Sequence, residues 1–156
     1  MLVVSTFLFC GNISAQIQKN KTANQAIVSD PVKTLLDSKN FEFLANTMLP
    51  MGQASKNLVG SEYSVRFSQE MIVSDLPYYG VAHRGKGVGR DKGMRFQGRP
   101  TDFSVQDSEK GYQINASVKT DDDRFDISMH VSKSGYATLT IESKNRESIS
   151  YDGEVK

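Results

Sequence analysis

The sequence is poor in cysteine, tryptophan and histidine. It contains one cysteine (Cys10), no tryptophan and only two histidines, His83 and His130. A single thiol excludes a disulfide framework within the chain and a multi-cysteine metal site. Neither histidine has an acidic residue or a second histidine at a familiar ligand spacing. We therefore predict no bound metal and no other cofactor.

The sequence also lacks a dominant sign of charge. Nineteen basic and 18 acidic residues give a formal net charge of +1. Such a balance creates no global field toward nucleic acid or membrane surfaces, so any electrostatic argument must be local. The 156 residues suit one domain.

A long apolar run is missing as well, and the short one present lies at the N terminus, from Leu2 to Cys10. It is too short to cross a bilayer as a helix. The residues that follow, up to Ala15, fit the small-residue cleavage pattern of a secretory signal. We therefore predict a signal peptide over residues 1–15 and export to the periplasm or cell envelope. The mature chain would then have no thiol, hence no cysteine nucleophile, and no transmembrane span.

Two alternatives to this interpretation stay open. No lysine or arginine precedes the apolar run, so an ordinary buried N-terminal segment competes with a signal peptide. Lipid anchoring at Cys10 is the second alternative. It is disfavoured because lipidation sites take a small residue before the cysteine, where this chain has Phe9.

A flexible lead-in and a short helix are predicted next. Residues 16–29 are polar and show no period. Asp30 can cap a helix and Pro31 suits its first position. The apolar residues that follow share one face, so we predict a short amphipathic helix that ends near Asn40.

The rest of the chain alternates apolar and polar residues over short segments separated by turns. The first strand is predicted over Phe41–Met48, with Ala45 and Thr47 on one face. The spacing of the strands, and the absence of any strand–helix–strand rhythm, predict an all-β, antiparallel sandwich or small barrel of about eight to ten short strands within a single domain, residues 30–156. Alternation alone leaves sandwich and barrel open. Ala137, Leu139 and Ile141 are predicted to face inward. The same-face sets of the other later strands are Tyr63/Val65/Phe67, Met94/Phe96/Gly98, Phe103/Val105, Tyr112/Ile114/Ala116/Val118, Phe125/Ile127/Met129/Val131 and Ile149/Tyr151/Val155.

The alternation is interrupted most clearly between Asp75 and Arg90, where glycines cluster, two tyrosines stand side by side and basic residues crowd together. We predict a long loop that meets an anionic or glycan ligand or an envelope protein, since tyrosine rings can stack on flat or sugar-like molecules. Export argues against nucleic acid as the ligand. The competing interpretation is a solvated loop with tyrosines buried in the core. The predicted binding residues are Tyr78, Tyr79, His83, Arg84, Lys86 and Arg90.

For catalysis the sequence offers no Gly-x-Ser-x-Gly elbow. Because triads are assembled by folding, a hydrolase using a polar cleft near His83 stays an alternative. A structural envelope component that uses a sheet edge for partner contact is another. We favour a non-enzymatic binding module of the cell envelope over both.

Five segments together resemble a known family: Phe41–Phe43, Leu49–Gly52, Leu76–Ala82, Ser134–Leu139 and Asn145–Gly153. The combination is similar to the domain-of-unknown-function family 4251 of exported bacterial proteins, over roughly residues 35–155, with serine at position 134 where the family pattern predicts asparagine. The resemblance implies an extracytoplasmic β-rich domain without an established activity, and it transfers no site residue. The glycines and tyrosines of these segments suggest an architectural role, with Tyr78, Tyr136 and Tyr151 burying their rings.

Overall fold

The structure, a computed structural model, describes residues 30–80 and 93–156. The predicted signal peptide and lead-in lie outside these residues. Helix α1 spans Pro31–Asp37. Oδ1 of Asp30 accepts hydrogen bonds from the backbone N–H groups of Val32 (3.0 Å) and Lys33 (3.3 Å), so the predicted N-cap is confirmed. In the described part of the chain, no helix has the length and apolarity needed to cross a membrane.

Among the described residues, ten strands form one antiparallel sheet, and the all-β prediction is confirmed. The sheet order is β5-β4-β3-β1-β10-β9-β8-β7-β6, with the short β2 paired to β1. The sheet curls into a nearly closed barrel, which resolves the choice that alternation left open. The strands are β1 (Phe41–Pro50), β2 (Lys56–Asn57), β3 (Ser64–Phe67), β4 (Ile72–Leu76), β5 (Met94–Gly98), β6 (Pro100–Ser108), β7 (Gly111–Lys119), β8 (Arg124–Ser132), β9 (Tyr136–Ser143) and β10 (Ile149–Val155).

The two ends of the sheet are brought together at Arg99, which alone separates β5 from β6. Strand β5 pairs with β4 at one end of the sheet, whereas β6 pairs with β7 at the other. At this corner a Cβ on Gly98 would lie only 2.7 Å from Cγ1 of Val118, so glycine permits the close approach. The rings of Phe96 and Phe125 stack across the gap, with their centroids 4.0 Å apart. These contacts nearly close the barrel.

Apolar side chains fill the barrel interior. Phe43, Leu139 and Tyr151 are among its fully buried residues. Helix α1 covers one end of the barrel, because it directly precedes β1 and its Leu36 is fully buried. The interior therefore serves as a packed core, and any binding must be sought on the outside or at the opposite end.

Strand β1 differs from its predicted form. It extends to Pro50 and contains a β-bulge between Ala45 and Thr47 in its pairing with β10. A bulge adds one residue and reverses the alternation beyond it. Met48 is therefore fully buried like Ala45, and the prediction that Thr47 shares a face with Ala45 is wrong.

Candidate functional site

The predicted binding segment leaves the barrel at the end opposite α1. Strand β4 runs parallel to β1, because both pair antiparallel with β3. Since α1 precedes the start of β1, the end of β4 lies at the other end of the barrel. The residues just after β4 are Pro77, Tyr78 and Tyr79. We call this surface, together with Lys56 and Arg146, the tyrosine rim.

Tyr78 is the buried tyrosine of the rim. Its ring is 9% exposed and its hydroxyl donates a 3.3 Å hydrogen bond to the carbonyl oxygen of Glu147. Burial raises the pKa of Tyr78, and the nearby negative charge of Glu147 adds to this effect. The guanidinium of Arg146 lies 5.3 Å from the ring centroid and also donates to the carbonyl oxygen of Gly93. One arginine of the β9–β10 connection therefore holds residues on both sides of segment 81–92.

Tyr79 presents its ring to the surface. The side chain is 45% exposed, and Nζ of Lys56 lies 3.4 Å from the ring centroid. A cation over a tyrosine ring contributes roughly 0.5–1 kcal/mol at an exposed position, so the contact favours one orientation of the ring. The neighbouring tyrosines thus differ: Tyr78 holds the rim in place, and Tyr79 offers an accessible aromatic surface beside a positive charge.

The other predicted binding residues (His83, Arg84, Lys86 and Arg90) lie outside the described residues, and their role stays a prediction. Lys56 and Arg146 were not among the predicted site residues. No local pattern marks either residue, since Lys56 stands in the two-residue strand β2 and Arg146 in a turn. They reach the rim only through folding.

A second concave surface lies beside β1, and we call it the β1 cleft. Its volume is about 480 Å³. It forms because β2 and β3 pair with different parts of β1, so that residues 58–63 arch between them. Backbone hydrogen bonds of 2.9 Å fix both ends of the arch, from Leu58 N–H to Asn46 and from Ala45 N–H to Tyr63. The lining residues are Glu42, Leu44, Ala45, Asn46, Leu58, Gly60, Glu62, Tyr63, Glu154 and Lys156.

The acidic turn Asp121–Asp123 and His130 belong to no cluster of potential metal ligands in the described part of the chain. Within residues 30–80 and 93–156, no group of three or more His, Cys, Asp or Glu residues could hold a metal ion. His130 points to solvent from β8, as the alternation predicts. In the turn, Oδ2 of Asp123 accepts a 2.6 Å hydrogen bond from the hydroxyl of Ser143. The turn thus uses at least one of its carboxylates to hold neighbouring strands.

The exposed edge of the sheet at β6 is poorly suited to adding a partner strand. The strand begins with Pro100, which lacks a backbone N–H group. Its pairing with β7 is irregular between Thr101 and Ser104, and Asp102 between them has a φ of 56°. Nζ of Lys39 donates a 2.8 Å hydrogen bond to the carbonyl oxygen of Phe103. Proline, an irregular register and a lysine are features that protect edges from pairing.

Together these observations define the protein as an all-β domain, a nearly closed barrel with a packed core. The family model "Domain of unknown function (DUF4251)" matches residues 14–155, and the chain belongs to this family. The resemblance noted in the sequence is confirmed.

Comparison with known proteins adds the fold but no activity. The chain is similar to the crystal structure of a DUF4251 family protein from Bacteroides eggerthii DSM 20697, with 16% sequence identity and a TM-score of 0.64. The match covers 81% of this chain and 85% of that chain. At this identity the likeness shows the fold alone. No curated protein matches the chain.

Proposed function

We propose that the protein is an exported, non-enzymatic binding module of the cell envelope, which binds an anionic or glycan ligand at the tyrosine rim. The observation that carries the proposal is the half-exposed ring of Tyr79 with the ammonium group of Lys56 3.4 Å from its centroid. An aromatic face packs against a sugar or another flat molecule, and an adjacent ammonium group pairs with an anionic substituent.

The charge distribution along the chain supports the same ligand class. From Arg84 to Arg99 the sequence carries six basic residues and a single acid. Arg95 forms a 2.7 Å ion pair with Asp75, and Arg99 forms a 2.8 Å ion pair with Glu70. The other four basic residues of this stretch lie in the sequence between Tyr79, a residue of the rim, and Gly93. Their charge would increase the local concentration of an anionic ligand there.

The two alternatives have less support. The hydrolase requires His83 in a cleft with a carboxylate or serine, and that geometry falls outside the described residues. The structural component requires an available sheet edge, and the edge at β6 carries the protective features described above. The binding proposal is the one that an exposed, positioned side chain supports.

A binding assay with matched tyrosine variants tests the ligand. We expect the purified protein to bind at least one acidic probe on an array of sulfated, sialylated and neutral glycans. Tyr79→Ala and the triple variant Arg84→Gln/Lys86→Gln/Arg90→Gln should each weaken that binding about tenfold or more. Tyr136→Ala removes another exposed tyrosine, 67% exposed on β9, and should leave binding unchanged. Retention of no probe, or equal binding by all variants, would refute the proposal.

Export is tested separately by expressing the full chain in a Gram-negative host. We expect the protein in the periplasmic fraction with a mass that corresponds to a chain starting at Gln16. A mature chain that starts at Cys10 and carries lipid would favour the anchored alternative. Full-length protein confined to the cytoplasm would contradict export.

A further inference from the structure

We propose that the β1 cleft is a second binding site, which accepts a lysine or arginine side chain from a basic peptide segment of a partner protein. The cleft and the tyrosine rim both include residues of the segment that follows β1. Lys56 faces the rim, whereas Leu58 and Glu62, a few residues further on, line the cleft. The inference rests on the cleft alone and does not depend on the function proposed for the rim.

The size and floor of the cleft suit a side chain with an apolar stem. A volume of about 480 Å³ lies within the range of roughly 300–1,000 Å³ typical of ligand pockets. Leu44 lines the cleft from the outward face of β1 and is only partly buried. Buried Leu58 lines it from the arch. A methylene chain lying along these leucines would remove apolar surface from water.

The charges of the cleft select a cation. Its lining has three carboxylates, Glu42, Glu62 and Glu154, against one ammonium group, an excess of two negative charges (three minus one). That ammonium belongs to Lys156 and lies 3.0 Å from Glu154. Within the described ranges, neither Glu42 nor Glu62 has an ion-pair partner, although Glu42 accepts a 2.7 Å hydrogen bond from the hydroxyl of Ser64.

The arrangement of these carboxylates favours an organic cation over a metal ion. They line the cleft together with Leu44 and Leu58, and they are not among any described group of three acidic, histidine or cysteine residues able to hold a metal. A long cationic side chain suits both the leucines and the carboxylates of the cleft. Its methylene stem can cover the leucines while its charged head reaches the glutamates. An arginine or lysine of a peptide has this shape.

Fluorescence anisotropy with a labelled peptide of alternating lysine and leucine tests the proposal. The matched probe has glutamate in place of each lysine. We expect the lysine peptide to bind and the glutamate peptide not to bind. The double variant Glu42→Gln/Glu62→Gln should weaken binding tenfold or more. The control Glu109→Gln/Glu142→Gln makes the same change of charge at exposed positions outside the cleft and should change binding less than twofold.

A second pair of variants distinguishes binding inside the cleft from nonspecific electrostatic attraction to the protein surface. Leu44→Lys places a cation with an apolar stem inside the cleft and should compete with the peptide, so binding should be lost. Leu49→Lys adds the same charge on the same strand outside the cleft and should have little effect. Circular dichroism checks that each variant is folded. If Leu44→Lys does not fold, the glutamine variants alone test the proposal.

Four results would overturn the proposal. The first is that the lysine peptide does not bind. The second is that both double variants weaken peptide binding equally, which would indicate nonspecific electrostatic attraction.

The third is that millimolar calcium chloride displaces the peptide from the wild type but has no effect in Glu42→Gln/Glu62→Gln, which would indicate a metal site. The fourth is that sedimentation velocity without peptide shows a dimer that dissociates in Glu42→Gln/Glu62→Gln, which would indicate a second copy of the chain as the occupant.

Discussion

The hydroxyl of Tyr151 donates a 2.6 Å hydrogen bond to the carbonyl oxygen of Pro77, which is 74 residues away in the sequence. Tyr151 is fully buried in β10, and Pro77 begins the segment that carries Tyr79. A side chain of the core thus fixes the first residue of the tyrosine rim. The stability of the barrel and the position of the proposed binding residue depend on the same contact.

We expect Tyr151→Phe to destabilise the protein by about 1–3 kcal/mol, because it leaves a buried carbonyl oxygen without its donor. Urea unfolding followed by circular dichroism measures this loss. Tyr136→Phe removes a hydroxyl from an exposed ring and serves as the control, with an expected change below about 0.5 kcal/mol. Equal unfolding midpoints for the two variants would show that the Tyr151 hydrogen bond does not contribute to stability.

The pairing of β1 with β10 requires glycine at position 153. A Cβ atom there would lie 1.9 Å from the carbonyl oxygen of Leu44, so the two strands would have to separate. We expect Gly153→Ala to cost more than about 3 kcal/mol, at the severe end of the range for single substitutions. Gly52→Ala is the comparison, since its Cβ would meet nothing within 4 Å and its φ of 67° makes the cost only about 1 kcal/mol. Thermal unfolding should rank the two variants in this order, and the reverse ranking would contradict the close approach.

The contact between Asp30 and Tyr112 predicts a pH dependence at the helix end of the barrel. The Tyr112 hydroxyl donates a 2.5 Å hydrogen bond to Oδ2 of Asp30. This hydrogen bond lowers the pKa of Asp30 and, with burial and the charge of Asp30, raises the pKa of Tyr112 to about 12. The contribution of Tyr112 to stability is therefore complete below its unfolded pKa of about 10 and is lost as the pH rises through about 12. The contribution of Asp30 is present above its unfolded pKa and is lost as the pH falls through its lowered folded pKa.

Tyr112→Phe tests this pH dependence. The ultraviolet absorbance of tyrosinate should show one group titrating near pH 12 in the folded wild type that is absent from the variant. The loss of stability between about pH 10 and pH 12 should also be smaller in the variant. An unchanged titration curve apart from the loss of one tyrosine of ordinary pKa would contradict the assigned hydrogen bond.

Local patterns predicted the elements of this fold well, because each strand has one face in the core. The alternation of Ala137, Leu139 and Ile141 places these residues inside β9, as the structure confirms. The same alternation places Tyr136 outside, and the prediction that its ring is buried is wrong. That prediction was based on the residue type, whereas the alternation of β9 already indicated an exposed ring for Tyr136.

Features that depend on tertiary contacts could not be predicted in this way. The bulge that turns Met48 inward arises from the pairing of β1 with β10, more than 100 residues later. The contact of Arg146 with Tyr78 likewise joins separate parts of the chain. The β1 cleft exists because one strand has two partners along the same edge, and the polar residues of the 58–63 arch gave no sign of this.

An amide NMR titration can locate the binding of an anionic or glycan ligand at the tyrosine rim. The probes are a sulfated oligosaccharide and its unsulfated counterpart, added to isotopically labelled protein. We expect saturable shifts of the Lys56, Tyr79 and Gly93 amides with the sulfated probe, and their loss in Tyr79→Ala. Shifts confined to other surfaces of the barrel, or no saturable shift with either probe, would show that the rim does not bind this ligand.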